Sequence, residues 1–101
     1  MPARIPIDRE AIAAFCRRHH IRRMALFGSV LRDDFRPDSD VDVLVEFEPE
    51  HVPTFFDLAA IEEELIPLLG GHRPDLVTFK YLSRHIRDEV LSIAEPLYAQ
   101  E

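Results

Sequence analysis

The sequence is short of several things at once. It holds a single cysteine, Cys16, in 101 residues, so no internal disulfide can form and nothing calls for an oxidising compartment. No apolar stretch approaches the roughly 20 residues that span a bilayer. The opening "MPARIPIDRE" has no apolar signal region, which makes the cytoplasm the default expectation. There is no internal repeat and no low-complexity run. A surplus of basic charge is missing too: the formal net charge is −7, the wrong sign for a general nucleic-acid binder, which must displace counterions from a phosphate backbone. Nor is there a phosphate loop ending in Gly-Lys-Ser/Thr.

What remains is the composition of an ordinary soluble globular protein, 47% hydrophobic and 31% charged. The length fits a single domain, residues 1–101, with one modest core. Its charge is uneven, with a net of +4 over residues 1–36 and −11 over residues 37–101. Two faces of opposite potential could result, although most of these charges read as solvated helix surface.

Asp8 is placed to cap a first helix running to about His19, with Ile12, Phe15 and Cys16 on its buried stripe. Cys16 is therefore a core filler rather than a nucleophile. His19 and His20 close that helix and, being adjacent, point in different directions, which disfavours a metal site. "RRMALF", residues 22–27, reads as a strand apolar on both faces and stops at Gly28. Residues 41–47 alternate cleanly: Val41, Val43, Val45 and Phe47 share one face, and Asp40, Asp42, Leu44 and Glu46 the other. Pro49 and Pro53 bracket a loop before a helix opened by Thr54, with Leu58, Ile61, Leu65 and Leu68 inward; Pro67 should kink it or end it early. Of the adjacent Phe55 and Phe56, at least one is expected in the core. "PDLVTF" reads as a third strand, and Ser83 caps a last helix with Ile86, Val90, Ile93 and Leu97 inward. The order predicts an α/β (α+β) domain: about three strands flanked by about four helices, counting a short helical turn near Val30 to Asp33.

The chemistry gathers in "GSVLRDDFRPDSDVDV", residues 28–43. Residues two apart on a strand lie about 6.6 Å apart on one side, so Asp40 and Asp42 can aim both carboxylates at one spot. Such a pair needs a cation, and magnesium, which takes oxygen ligands from one or two carboxylates plus substrate phosphates, suits it. Asp75 could add a third carboxylate if its strand pairs beside theirs. Two ions about 3.5 to 4 Å apart could then hold the attacking and leaving oxygens of an in-line displacement. Gly28 lets a phosphate approach the backbone, and Ser29 adds a hydroxyl donor. A calcium loop is excluded, because its sixth-position glycine would be Val43 and its twelfth-position glutamate Pro49. Asp33, Asp34 and Asp38 read as turn caps.

Gly28-Ser29, ten residues, then Asp40-Val41-Asp42 resembles the signature of the DNA polymerase beta-like nucleotidyltransferase superfamily. "FGSVLRDDFRPDSDVDVLVEF" with "PDLVTF" and "IRDEVLSIAEPLYA" is similar, over nearly the whole chain, to minimal nucleotidyltransferase (MNT) proteins. The resemblance implies a mixed sheet with flanking helices, two magnesium ions and ATP. By position it makes Asp40, Asp42 and Asp75 catalytic metal ligands, Gly28 and Ser29 the triphosphate-binding turn, and Arg32 a basic nucleotide contact. Val30 stands where many relatives have arginine, and Asp33 where many have glycine. The resemblance further implies an antitoxin that transfers AMP from ATP to a hydroxyl, that of a tyrosine, on a HEPN-domain ribonuclease toxin. Two alternatives stay open: a non-catalytic antitoxin that neutralises by binding, and transfer to a small molecule. No membrane or nucleic-acid partner is expected.

Overall fold

The computed structural model describes residues 5–31, 35–78 and 84–100, with the backbone alone at Ser29, residues 84–87 and Leu91. In chain order it forms α1 (Arg9–Arg18), β1 (Ile21–Phe27), a 3-10 turn (Gly28–Leu31), β2 (Val41–Phe47), α2 (Phe55–Leu68), β3 (Pro74–Thr78), α3 (Arg84–Ile93) and β4 (Glu95–Ala99). The four strands make one mixed sheet in the order β3-β2-β1-β4. β1 runs antiparallel to both β2 and β4, while β3 lies parallel to β2. A parallel neighbour needs a crossover connection, and α2 is that crossover.

Local chemistry explains the helix starts. The Asp8 carboxylate accepts from the backbone N–H groups of Glu10 and Ala11, each at 3.1 Å, and so opens α1. Thr54 and Asp57 form a reciprocal capping box at the start of α2. Ile12, Phe15 and Cys16 of α1 and Ile61 and Leu65 of α2 join Val41, Val43 and Val45 of β2 and Ile21, Met24 and Leu26 of β1 in one core. Both helices therefore cover the valine face of the sheet. Their outer edges are joined where Arg18 and His19 meet Glu64 at 2.6 and 3.0 Å. Full burial of a Phe15-sized side chain is worth about 1.5–3 kcal/mol. Burial also pushes the Cys16 thiol up to about 12, against a slight lowering by Arg17, so it is a packing residue and not a thiolate.

Four expectations need correction. Residues 95–99 are a fourth strand and not the end of the last helix, so the sheet has four strands rather than about three. The final helical bond is Ala94 N–H to Val90 carbonyl at 2.9 Å, and Pro96 has no N–H with which to continue. Pro96 sits on an edge strand beside a bulge, where a missing donor is tolerated. Consequently Leu97 is buried in β4, and Ile93 is 61% exposed rather than inward. Three α-helices and the 3-10 turn are found among the described residues, and the turn begins at Gly28 instead of Val30. α2 runs through Pro67 to Leu68 with that proline exposed, and it closes when Gly71 N–H donates to the Ile66 carbonyl at 2.8 Å. Both Phe55 and Phe56 are exposed, because the packed stripe of α2 starts at the half-buried Leu58 and becomes full only at Ile61 and Leu65. Ser83 lies outside the described residues.

Candidate active site

With α1 and α2 on the valine face, the opposite face of β2 carries the acids. Leu44 on that face is buried as well, whereas Asp42 and Glu46 at its two ends are half-buried. Asp42, half-buried, is the second residue of β2; its register partners are Phe27 on β1 and Asp75 on β3. In-register residues on adjacent strands project to the same side. β3 thus brings the Asp75 carboxylate beside that of Asp42, the pairing on which a third carboxylate depended. Asp40, exposed, precedes β2 by one residue and follows the turn closed by Ser39. Like charges so placed repel unless a cation or a donor set offsets them.

The approach of Gly28 to Asp42 fixes the geometry between turn and acid. Gly28 has φ +79, and a Cβ built there would overlap Oδ2 of Asp42 and stand 3.1 Å from its Cγ. Only a residue without a side chain allows the carboxylate to lie against the backbone at that point. The backbone of Ser29 follows within the same turn. Val30 is fully buried in the core, which accounts for an apolar residue at that place. Arg32 and Asp33 lie outside the described residues.

The start of β2 is pinned from the α2–β3 connection. The His72 Nδ1–H donates to the Ser39 carbonyl at 2.9 Å, since a carbonyl can only accept, and the His72 ring packs on Phe35 with centroids 4.8 Å apart. The Val41 N–H donates to the Arg73 carbonyl at 2.9 Å. Ser39 itself closes a turn with Arg36, receiving its backbone N–H on Oγ at 3.1 Å and donating its own N–H to the Arg36 carbonyl at 3.0 Å. Two residues flanking Asp40 are therefore fixed to the segment that leads into Asp75. Sequence reasoning missed His72; its one visible signal is its place between the glycine stop of α2 and the third carboxylate.

The oxygen donors suit a hard divalent cation such as magnesium, and the missing side chain at Gly28 is what lets the Asp42 carboxylate lie against the backbone there. No set of three or more His, Cys, Asp or Glu side chains is drawn to ion-holding distance among the described residues. That is compatible with magnesium, which keeps waters and substrate oxygens in its shell rather than demanding an all-protein cage. The cavity of about 360 Å³ lined by Phe47, Val52 and Leu58 lies at the far end of β2, away from these acids. Of the three acids, Asp40 and Asp75 are exposed and Asp42 is half-buried.

The chain matches the family model described as a nucleotidyltransferase domain over residues 8–95. It is 40% identical over 74 residues to the protein adenylyltransferase MntA of Thermococcus cleftensis, covering 73% of this chain and 72% of that protein. A solved structure provisionally assigned as a minimal nucleotidyltransferase superposes with a TM-score of 0.70 at 42% identity, over 87% of each chain. A chain in the structure of a tri-AMPylated Shewanella oneidensis HEPN toxin in complex with MNT antitoxin gives a TM-score of 0.61 at 18% identity, over 91% of this chain and 70% of that one. At 18% identity that likeness speaks for the fold alone.

Proposed function

The chain belongs to the nucleotidyltransferase domain family, and on that premise we propose that it is a magnesium-dependent protein adenylyltransferase. It transfers AMP from ATP to a hydroxyl, that of a tyrosine, on a HEPN-domain toxin, and so acts as the antitoxin. The observation that carries the reading is the register of Asp42 beside Asp75 with Gly28 against the Asp42 carboxylate. The name of the Thermococcus relative supports the class of reaction, and the Shewanella complex supports the class of acceptor.

Asp40, Asp42 and Asp75 are the residues that would hold magnesium, in a site of two ions. When bound, magnesium neutralises phosphate charge and eases loss of the acceptor proton, whose free pKa is about 10 for a tyrosine. The backbone at Gly28 and Ser29 receives the triphosphate, and Arg32 adds positive charge. The acceptor oxygen bonds to the α-phosphorus as the bond from that phosphorus to the bridging oxygen of the β-phosphate breaks. The acceptor proton passes to the Asp75 carboxylate, and pyrophosphate departs with the bonding pair. The AMPylated toxin of the Shewanella complex favours an acceptor presented by another protein over a small molecule enclosed in a pocket.

The test is to incubate the chain with magnesium, ATP labelled on its α-phosphate and a HEPN-domain partner protein, alongside Asp40→Ala/Asp42→Ala. Label is expected on the partner with the wild type and not with the folded variant, and chelation by EDTA should abolish it. Neutralisation by the variant as effective as by the wild type would instead establish a non-catalytic blocker.

A further inference from the structure

Val52, Phe55 and Phe56 are 76%, 84% and 85% exposed. Scattered apolar residues on a surface need no explanation, but three large ones within five residues form a patch. Beside them opens the cavity of about 360 Å³, whose apolar wall includes Val45, Phe47, Val52, Pro53 and Leu58. Phe55 precedes Leu58 by three residues and so stands on the cavity side of α2, while Phe56 shares a side with the exposed Ala59 and Ala60. The patch lies at the end of β2 away from Asp42, on the order of 15 Å along the strand.

The cavity wall holds Arg22 as well as Glu46 and Glu48, but the stretch of chain that carries the patch is acidic throughout. Between Pro37 and His72 the chain has ten acidic residues and neither lysine nor arginine. Glu46 and Glu48, on the cavity wall, are met by Arg22 and Arg23 and by His20 and Gln100. Glu50, Glu62 and Glu63 are exposed and take part in no ion pair among the described residues. Apolar anchors rimmed by uncompensated acids match a partner surface with the inverse pattern, and such complementarity sets both recognition and rate of encounter.

We propose that this patch and its cavity are the docking face for the protein acceptor. The occupant is an amphipathic helix that seats an aliphatic or aromatic side chain in the cavity and sets lysines or arginines against Glu50, Glu62 and Glu63. The proposal rests on the protein-acceptor reading above and adds that the acceptor is held at a site apart from the acids. Recognition and chemistry then occupy opposite ends of β2.

Binding of the HEPN-domain partner is measured by calorimetry without ATP, and AMP transfer is measured separately as a function of partner concentration. Phe55→Ser/Phe56→Ser should weaken binding and raise KM for the partner tenfold or more, with kcat and KM for ATP unchanged. Glu50→Lys/Glu62→Lys/Glu63→Lys should weaken binding as well, and the wild-type affinity should fall with added salt. Both variants are expected to melt within a few degrees of the wild type because the altered side chains are exposed. Unchanged affinity in both variants overturns the proposal, as does a large loss of melting temperature in the serine variant, which would show the patch covered by the chain's own residues. A wild type that binds no HEPN-domain protein also overturns it. A wild type that binds through this face yet transfers no AMP leaves the docking face standing and sinks the adenylyltransferase reading; the reverse result does the opposite.

Discussion

Replacing Gly28 by alanine separates two costs that this position carries. The first is conformational: at φ +79 an alanine is in the left-handed region, which costs about 1–2 kcal/mol. For a domain of about 100 residues that lowers the melting temperature by roughly 4 to 16 °C. The second is steric. The new Cβ would overlap Oδ2 of Asp42, but a carboxylate on a short side chain can swing aside, so this overlap costs less in stability than in function. A carboxylate so moved would leave the place beside Asp75 in which the proposed magnesium site uses it. Gly28→Ala should therefore lose about 1–2 kcal/mol in urea unfolding and lose measurable magnesium-ATP binding by calorimetry. Gly28→Asn sharpens the test, because asparagine tolerates positive φ but keeps the Cβ. It should recover much of the stability and none of the binding. An alanine variant that binds magnesium-ATP like the wild type would refute the argument that the glycine exists to admit Asp42.

Asp75→Asn removes both the proton acceptor and one magnesium ligand while keeping the shape; kcat for transfer should fall by roughly 10²- to 10⁴-fold, with magnesium-ATP binding weakened but less than in Asp40→Ala/Asp42→Ala, as read by quench-flow beside calorimetry. His72→Ala deletes the donor to the Ser39 carbonyl and should cost about 1 kcal/mol and raise KM for ATP several-fold. His72→Asn, whose amide can reach the same carbonyl, should restore most of that affinity, an outcome that mere loss of ring packing on Phe35 would not give. The Asp57 carboxyl lies below the usual carboxylate range, chiefly because the Thr54 backbone N–H donates to it at 2.7 Å and then because of the Thr54 hydroxyl. A depressed pKa contributes stability that is complete above the ordinary carboxylate range and is lost as pH falls through the lowered value. The gap in urea midpoint between wild type and Asp57→Asn should accordingly close on acidification and not on raising the pH.

Much of the candidate site's layout could be read before the fold was known, and the reasons differ by residue. Asp40 and Asp42 announced themselves because strand alternation is a local property, and β2 begins and ends where Val41–Phe47 alternate. The helix starts at Asp8 and Thr54 were legible for the same reason: a cap acts within three residues. Asp75 was visible only conditionally, since its place depended on β3 choosing β2 as neighbour. The register of Gly28 against Asp42 could not be read at all, being a product of tertiary pairing. Nor could β4, because Ile86, Val90, Ile93 and Leu97 continue a helical spacing across Pro96. There the pairing of residues 95–99 with β1 overrides the period. The exposure of Phe55 and Phe56 runs against composition-based expectation, and it is at such departures that surfaces with a task are found.

The order β3-β2-β1-β4 puts Asp42 on an interior strand, hydrogen-bonded to neighbours on both sides, and Asp75 on a strand with one neighbour among the described residues. Amide hydrogens of β1 and β2 should be the slowest to exchange with solvent and those of β3 markedly faster, since an edge can fray while the interior stays closed. Substitutions near Asp75 then perturb less of the molecule than substitutions near Asp42. Of the two neighbouring carboxylates, one therefore stands on a part of the sheet that can open locally and the other on a part that opens only with the fold as a whole.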